Sequence, residues 1–346
     1  MQIRRVPFAL FVIGALLAAG TLAALALSPA QQTFRDELAG KVAALEKKHL
    51  AVFAGSDGWL FLTSELRFLA QGPFWGEAAA KISRSHKAQN ADPIPAIADF
   101  NRQLKERGIA LIVVPIPAKA AIYPDKLGLQ STLAPTDTAP YLQDFYGELG
   151  KRGIEFVDLT GTFASHLNDP HGALYCRTDS HWSGNGCYVA SEAIAQAIRD
   201  VLPGLPPKNA YFPEWKEVTI NGDLVQLLGG GQKVAPEKLI IRQLTAAAQP
   251  DPNSPVLLMG DSHTLVFHEF LAERAGLLDQ LAAELKYAPD LIGTRGSGAT
   301  AVRVSFYRRA RSEPDFLAKK KLVVWCFAAR ELTEADQGWV VQPIAK

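Results

Sequence analysis

Three uninterrupted apolar runs of strand length, residues 109–114, 256–259 and 322–325, alternate with segments of helical periodicity. That alternation restricts the fold more than any other feature of the chain. A run that is apolar at every position, rather than at every second one, belongs to a strand buried on both faces, as in a parallel sheet covered by helices. Residues 98–107 read as a helix stopped by Gly108, and 141–152 as the next. Residues 154–157 form a further strand ending at Asp158. Ser183 is placed to cap a helix whose Ala190, Ile194, Ile198 and Val201 share one face. Residues 263–275, directly after the second run, are expected to be helical. Strands alternating with helices imply an α/β fold with a doubly wound parallel sheet of the flavodoxin-like kind. Ligands in such sheets sit at the carboxyl ends of the strands, where Asp158 and Ser262 both fall.

The N-terminus follows other rules. Arg4 and Arg5 precede an uncharged apolar run over 6–27, and the next charge is Arg35. At ~1.5 Å per residue this run can cross a ~30 Å hydrocarbon layer. Residues 1–28 are therefore expected to be a signal anchor, a single transmembrane helix in the bacterial inner membrane. The basic flank stays in the cytoplasm and the rest of the chain faces the periplasm. A cleaved signal peptide is the rival reading, since small residues abound over 24–30. Residues 29–52 are expected to form a helical linker, with Phe34, Leu38, Val42 and Leu45 at helical spacing. Residues 53–346 then make one catalytic domain. Within it, 203–251 is richer in Pro and Gly and reads as an insertion with small strands such as 238–242, placed to help wall a site.

Lys and Arg total 36 against 35 Asp and Glu, a net charge of +1 that gives no electrostatic case for nucleic acid. Of three cysteines, Cys176 and Cys187 bracket the Asp179-Ser180-His181 motif and form a possible disulfide, while Cys326 reads as a core thiol.

Two motifs carry chemistry. Met259-Gly260-Asp261-Ser262-His263 follows the 256–259 strand, and Asp179-Ser180-His181-Trp182-Ser183 lies some eighty residues upstream. Gly260 permits a sharp turn, which puts Ser262 at a helix N-terminus whose free N–H groups favour a developing oxyanion. A two-residue spacing lets the Asp179 carboxylate reach His181 Nδ1 and fix its tautomer, leaving Nε2 to take a proton from a serine. Each motif alone is equally well a helix cap or a satisfied polar loop. His166, His171, Cys176, Asp179 and His181 are close in sequence, but their spacings match no common zinc pattern, and no metal or cofactor is expected. Trp182, Trp59 and Trp325 are candidates to stack on sugar rings or to fill the core. Arg308, Arg309, Arg311 and Lys319–Lys321 face either an anionic polymer or solvent.

Gly260-Asp261-Ser262 resembles the nucleophile block of SGNH hydrolases. Those enzymes place Ser early and an Asp and His, three residues apart, late. Here the order is reversed and the spacing is two, which resembles the alginate O-acetyltransferase AlgJ/AlgX family and its SGNH-hydrolase-like domain. Gly55-Ser56-Asp57-Gly58-Trp59-Leu60-Phe61 is similar to that family's opening segment, and Gly222-Asp223-Leu224 to its mid-domain Gly-Asp-Leu. Val323-Val324-Trp325-Cys326-Phe327 with Arg330-Glu331-Leu332 is similar to its last strand and exit. The likeness runs from about Phe53 to Leu332, and the N-terminal anchor resembles the AlgJ type.

The resemblance implies Ser262 as nucleophile, His181 as base and Asp179 as its orienter. The Ser262 N–H and the Gly296-Ser297-Gly298 turn are candidates for the oxyanion hole, with Gly260, Trp182 and Arg330 near the substrate. It implies transfer of an acetyl group to hydroxyls of an alginate-like or other exopolysaccharide. The donor would be a membrane-embedded O-acyltransferase, working with other polysaccharide biosynthesis and secretion proteins. An esterase with the same triad and a silent polysaccharide-binding subunit are the alternatives.

Overall fold

The computed structural model describes residues 27–130, 133–228 and 234–345. Nearly all of the expected membrane anchor lies outside them. Among the described residues no helix is long and apolar enough to cross a membrane.

Nine strands form. β1 (Val52–Ala54) and β2 (Leu60–Leu62) pair antiparallel about a turn in which Asp57 and Gly58 have positive φ. β3 (Ala110–Ile116), β4 (Glu155–Phe156), β7 (Val256–Gly260), β8 (Asp290–Gly293) and β9 (Leu322–Ala328) build a five-stranded sheet in the order β4-β3-β9-β7-β8, parallel throughout. All residues of β7 and β9 are buried, the both-faces burial that their continuous apolar runs anticipate. β9, last in sequence, lies between β3 and β7. Residues following it therefore emerge on the same rim of the sheet as those following β7.

The helices Pro93–Lys105, Pro140–Lys151 and Gly184–Val201 form where periodicity places them. Ser183 caps the last through its side chain, which accepts from the Gly186 N–H at 3.1 Å. Three points go beyond or against the sequence reading. First, the helix expected over 29–52 forms as Pro29–Lys47, and it buries Phe34, Leu38 and Val42 in the main core. Arg35 anchors it by donating to the Ala70 carbonyl at 3.2 Å. Second, 263–275 is not a helix. A single 3-10 turn, Ser262–Thr264, is followed by irregular chain with positive φ at Phe267, Leu271 and Arg274, and the helix comes only at Leu277–Leu285. Third, β8, which the sequence reading missed, closes the edge beside β7.

The 203–251 insertion folds as an antiparallel hairpin, β5 (Pro213–Ile220) with β6 (Glu237–Leu244), joined through the short helix Asp223–Leu227. The cysteines are free thiols, all three buried. The possible Cys176–Cys187 bridge does not form: the Cys176 thiol is turned to the Trp182 carbonyl, 3.6 Å away, and Cys187 lies inside the helix Gly184–Val201.

Candidate active site

Ser262 stands just past the carboxyl end of β7. The turn there is possible because β7 and β9 touch at Gly260: a Cβ on that residue would come within 2.1 Å of the Cys326 carbonyl oxygen. Gly260 is buried in this contact and does not face the site. Asp261 then fixes the turn. Its Oδ1 accepts from the His263 N–H at 2.9 Å and from His263 Nδ1 at 3.1 Å, and its Oδ2 accepts from the Ala328 N–H at 2.7 Å. The last bond ties the serine turn to the end of β9.

The loop bearing Asp179 and His181 comes to this rim from before the helix Gly184–Val201. His181 Nε2 lies 2.7 Å from Ser262 Oγ, and His181 Nδ1 lies 2.7 Å from Asp179 Oδ1. Residues 81 positions apart thus form one hydrogen-bonded Asp–His–Ser chain. Asp179 is almost wholly buried, which by itself pushes its carboxyl pKa up. The bond from His181 and the backbone N–H groups of Asp223 and His181 outweigh burial and hold it below the usual value. With Asp179 ionised, Nδ1 carries the proton and Nε2 is left to accept from the serine.

The acid loop is held from two sides. Lys119, fully buried, donates to the carbonyls of Asp179 at 2.8 Å and Cys176 at 3.0 Å. From the insertion, the Glu237 carboxylate accepts from the N–H groups of Arg177 and Thr178 at 2.8 and 2.9 Å. The Asp223 N–H donates to Asp179 Oδ2 at 2.9 Å, and the Asp223 carboxylate accepts from Ser180 N–H at 2.7 Å and Ser180 Oγ at 2.6 Å. The insertion therefore buttresses the triad from behind.

His263 sits beside His181, ring centroids 4.7 Å apart, and is buried. Burial lowers its pKa to about 4 despite the Asp261 partner. Asp261 is raised by burial but lowered further by His263 and the Ala328 N–H, to about 2. At neutral pH the pair is a carboxylate and a neutral imidazole. Phe270 meets the other side of the site, edge-on to His181 at 5.6 Å, with the Arg295 guanidinium 4.6 Å over its ring.

Ser262 opens into a cleft of about 460 Å³ whose wall includes Gly296, Ser297, Arg330 and Glu331. The Ser262 N–H makes no hydrogen bond among the described residues. Gly298 lies against the same turn, since a Cβ there would meet Asp261 Cβ at 2.9 Å, whereas Gly296, at φ +97, is in open space. Arg330 reaches the cleft held by buried Glu65, 3.4 Å away.

Of the two readings for the tryptophans, the core one holds: Trp182 is 0% exposed and its Nε1 donates to the His263 carbonyl at 3.0 Å, and Trp59 and Trp325 are buried. Trp182 thus supports the His263 turn and cannot face a substrate. His171 is stacked on Trp215 and His166 turns to the Thr162 carbonyl, so neither joins His181. Asp179, His181 and Asp223 do bring ligand atoms within 4.8 Å of one another. Their oxygens and Nδ1 are already committed to the bonds above, so a cation there would have to break the triad. Of the basic residues near the C-terminus, Arg309 pairs with Asp290 and Glu313, and Lys320 is buried on Asp290. The sequence reading missed Lys119, Glu65, Glu237 and Phe270. Asp223 carried a signal in its Gly-Asp-Leu context, though not of its position.

A parallel α/β sheet with a Ser–His–Asp chain at its carboxyl rim defines an SGNH-hydrolase-like fold. Residues 52–329 match the family described as "SGNH hydrolase-like domain, acetyltransferase AlgX", and the chain belongs to that family. Among its relatives, the "Probable alginate O-acetylase AlgJ" of Pseudomonas aeruginosa is 30% identical over 178 residues, 51% of this chain and 41% of that protein. The counterpart in Pseudomonas fluorescens is 26% identical over 317 residues, 84% of this chain and 72% of that protein. The match to the first of these thus spans about two fifths of its length. Among solved structures, the O-acetyltransferase domain of Pseudomonas putida AlgJ shares the fold at a TM-score of 0.62 and 24% identity, covering 82% of this chain and 92% of that one. Pseudomonas aeruginosa AlgX does so at 0.59 and 17%, covering 87% and 66%.

Proposed function

We propose that the protein is an O-acetyltransferase that passes an acetyl group through Ser262 to hydroxyls of an alginate-like or other exopolysaccharide. The observation that carries this reading is the continuous chain from Asp179 through His181 to Ser262 Oγ, with both bonds at 2.7 Å. Ser262 Oγ attacks the acetyl carbonyl while His181 Nε2 takes its proton. Nε2 returns that proton to the leaving group, and an acyl-enzyme results. A sugar hydroxyl then gives its proton to Nε2 as its oxygen attacks the acyl carbon, and Ser262 departs with the proton back on Oγ. The oxyanion formed in each half faces the Ser262 N–H, with a second donor from the Gly296–Gly298 turn. No long helix stands behind Ser262, so this hole rests on individual N–H groups rather than a helix dipole.

The setting follows the sequence. The 6–27 run anchors the chain in the inner membrane with the domain in the periplasm. A membrane-embedded O-acyltransferase supplies acetyl groups there, since acetyl-CoA is cytoplasmic, alongside other polysaccharide biosynthesis and secretion proteins. Relatives named alginate O-acetylases support the transferase reading over an esterase with the same triad. The test offers an activated acetyl ester with and without sugar oligomers. Acetylated oligomer is the expected main product. Free acetate alone at saturating sugar identifies an esterase, and no ester turnover at all a silent binding subunit.

A further inference from the structure

The chain leaves Ser262 by a strained path that sets one aromatic ring beside the base. The N–H groups of Leu265 and Val266 donate to the Ser262 carbonyl at 3.1 and 2.9 Å, so the segment starts on the nucleophile itself. It then turns back: the Phe267 N–H donates to the Phe270 carbonyl at 2.8 Å, and the Ala275 N–H to the Phe267 carbonyl at 2.9 Å. Phe267, Leu271 and Arg274 take φ of +59, +65 and +63, a region that a Cβ disfavours. Such residues persist only where the surroundings hold them, and strain of this kind gathers at functional sites. Here the far end is held on the β5–β6 hairpin: the Leu244 N–H donates to the Arg274 carbonyl and Arg274 Nη1 to the Thr245 carbonyl, both at 2.8 Å. Phe267 is buried in the main core. Phe270 stays partly exposed, its ring nearly perpendicular to that of His181, at 74° with centroids 5.6 Å apart. Arg295 lies 4.6 Å over the Phe270 ring and pairs with Glu269 at 3.9 Å, which keeps the ring in place.

His181 has its Nδ1 on Asp179, its Nε2 on Ser262 and the His263 ring on one flank, centroids 4.7 Å apart. Phe270 takes a further flank, and His181 is left 6% exposed. The chemistry explains what such cover does, if the transferase reading on which it rests is right. The acyl-enzyme decays by two routes, and both use Nε2 as base. In one, water attacks the acetyl carbon and gives a proton to Nε2. The ester bond breaks, acetic acid leaves, and Ser262 takes the proton back on Oγ. In the other, a sugar hydroxyl stands in place of the water. Water is in large excess, so transfer prevails only where water is denied an ordered place near Nε2. An ordered water needs about two to four polar partners, and a phenyl ring offers it no ordinary one. We infer that Phe270 is a specificity-determining residue: its ring, held beside His181, keeps water from the acyl-enzyme, so that the acetyl group passes to a sugar hydroxyl.

The full chain in detergent is given 4-nitrophenyl acetate and a mannuronate oligomer at fixed concentration. After the uncatalysed reaction is subtracted, acetylated oligomer over free acetate gives the partition of the acyl-enzyme. That ratio does not depend on how much folded enzyme a variant yields. Phe270→Leu keeps an apolar side chain of similar bulk and should hold the ratio within about twofold of the unaltered protein. Phe270→Ser opens the flank and offers water a hydroxyl, so it should lower the ratio at least ~fivefold, the scale of one ordered water gained. Phe270→Val should fall between them, and it carries the test if Phe270→Ser gives no turnover. A ratio that stays flat through these variants, or rises, overturns the inference. Acetate as the sole product of the unaltered protein overturns the transferase reading, and the role of Phe270 with it, so the two failures are distinct.

Discussion

The tripeptide Asp-Ser-His occurs twice, at 179–181 and at 261–263, and folds the same way both times. In each, one aspartate oxygen accepts from the histidine N–H and from its Nδ1: 3.1 and 2.7 Å in the first copy, 2.9 and 3.1 Å in the second. In each, the other oxygen is fixed by a distant backbone N–H, from Asp223 or Ala328. The roles nevertheless cross over. The first copy supplies the histidine and spends its serine, whose Oγ donates to Asp223. The second supplies the serine and buries its histidine. The tripeptide is thus a turn-former, and its chemistry depends on which atom the surrounding fold leaves uncommitted.

The comparison is broken most directly at the two working atoms. Ser262→Ala and His181→Ala should each lower activated-ester turnover by at least ~10³-fold, and the double variant should lose little more, because the pair acts as a unit. Steady-state kinetics on the three variants checks this. Additive losses would show that Ser262 and His181 act in separate steps. The aspartates come next. Asp179→Asn should cost ~10²- to 10⁴-fold in kcat with an intact fold, since the amide no longer fixes the His181 tautomer. Asp261→Asn touches no reacting atom. It should leave kcat within ~10-fold and instead cost ~1–3 kcal/mol in urea unfolding, the penalty of weakening a buried network. A rate loss at Asp261 equal to that at Asp179 would erase the distinction between the copies.

The first copy was readable because its partners are its own neighbours: Asp179 and His181 meet across a two-residue turn, and strands of continuous apolar residues fix the rim to which Ser262 belongs. What was not readable depends on long-range contact. Lys119 and Glu237 act through backbone groups about sixty positions away, and nothing in their local sequence marks them; the Gly-Asp-Leu context marks Asp223 but not where it lands. The 263–275 segment has helical composition, but three positive φ values break it, and the tight packing of Gly276 against Val266 and His268 comes from the tertiary fold. Trp182 could not be told from a sugar platform by type. Only its burial over the second copy's histidine decides that.

Acid sharpens the comparison through the buried histidine. His263 titrates at about 4 in the fold against an ordinary 6.5. Between those values the unfolded chain binds a proton that the folded protein declines. Stability is therefore full above pH ~6.5 and falls as pH drops toward about 4, by up to ~3 kcal/mol. Asp261, held at about 2 against 3.8, continues the fall below that window, because its ionised form is favoured by the fold. His263→Gln should flatten the upper part of the profile and also shrink the lower part, because His263 is the first of the groups that hold the Asp261 carboxyl down. Urea midpoints at pH 7, 5.5 and 4.5 measure it, and an unchanged slope in the variant would assign the acid sensitivity elsewhere.

The smallest effect belongs to the serine that the first copy spends. Ser180 Oγ donates to Asp223 Oδ2 at 2.6 Å, but the Ser180 N–H still reaches Asp223 Oδ1 at 2.7 Å, and Asp179 keeps its bond from the Asp223 N–H. Ser180→Ala therefore removes one of three links between Asp223 and the acid loop. The expected cost is ~1 kcal/mol of stability, that of one hydrogen bond, with ester turnover within about threefold. Thermal melts and steady-state rates on Ser180→Ala beside Ser262→Ala make the contrast, because the two changes are the same substitution in the same tripeptide. If Ser180→Ala were the inactive one, the wrong serine would have been assigned to the reaction. The expected asymmetry says instead that the carboxylate of Asp223 silences the first hydroxyl, while the second, with only His181 before it, is the one left to react.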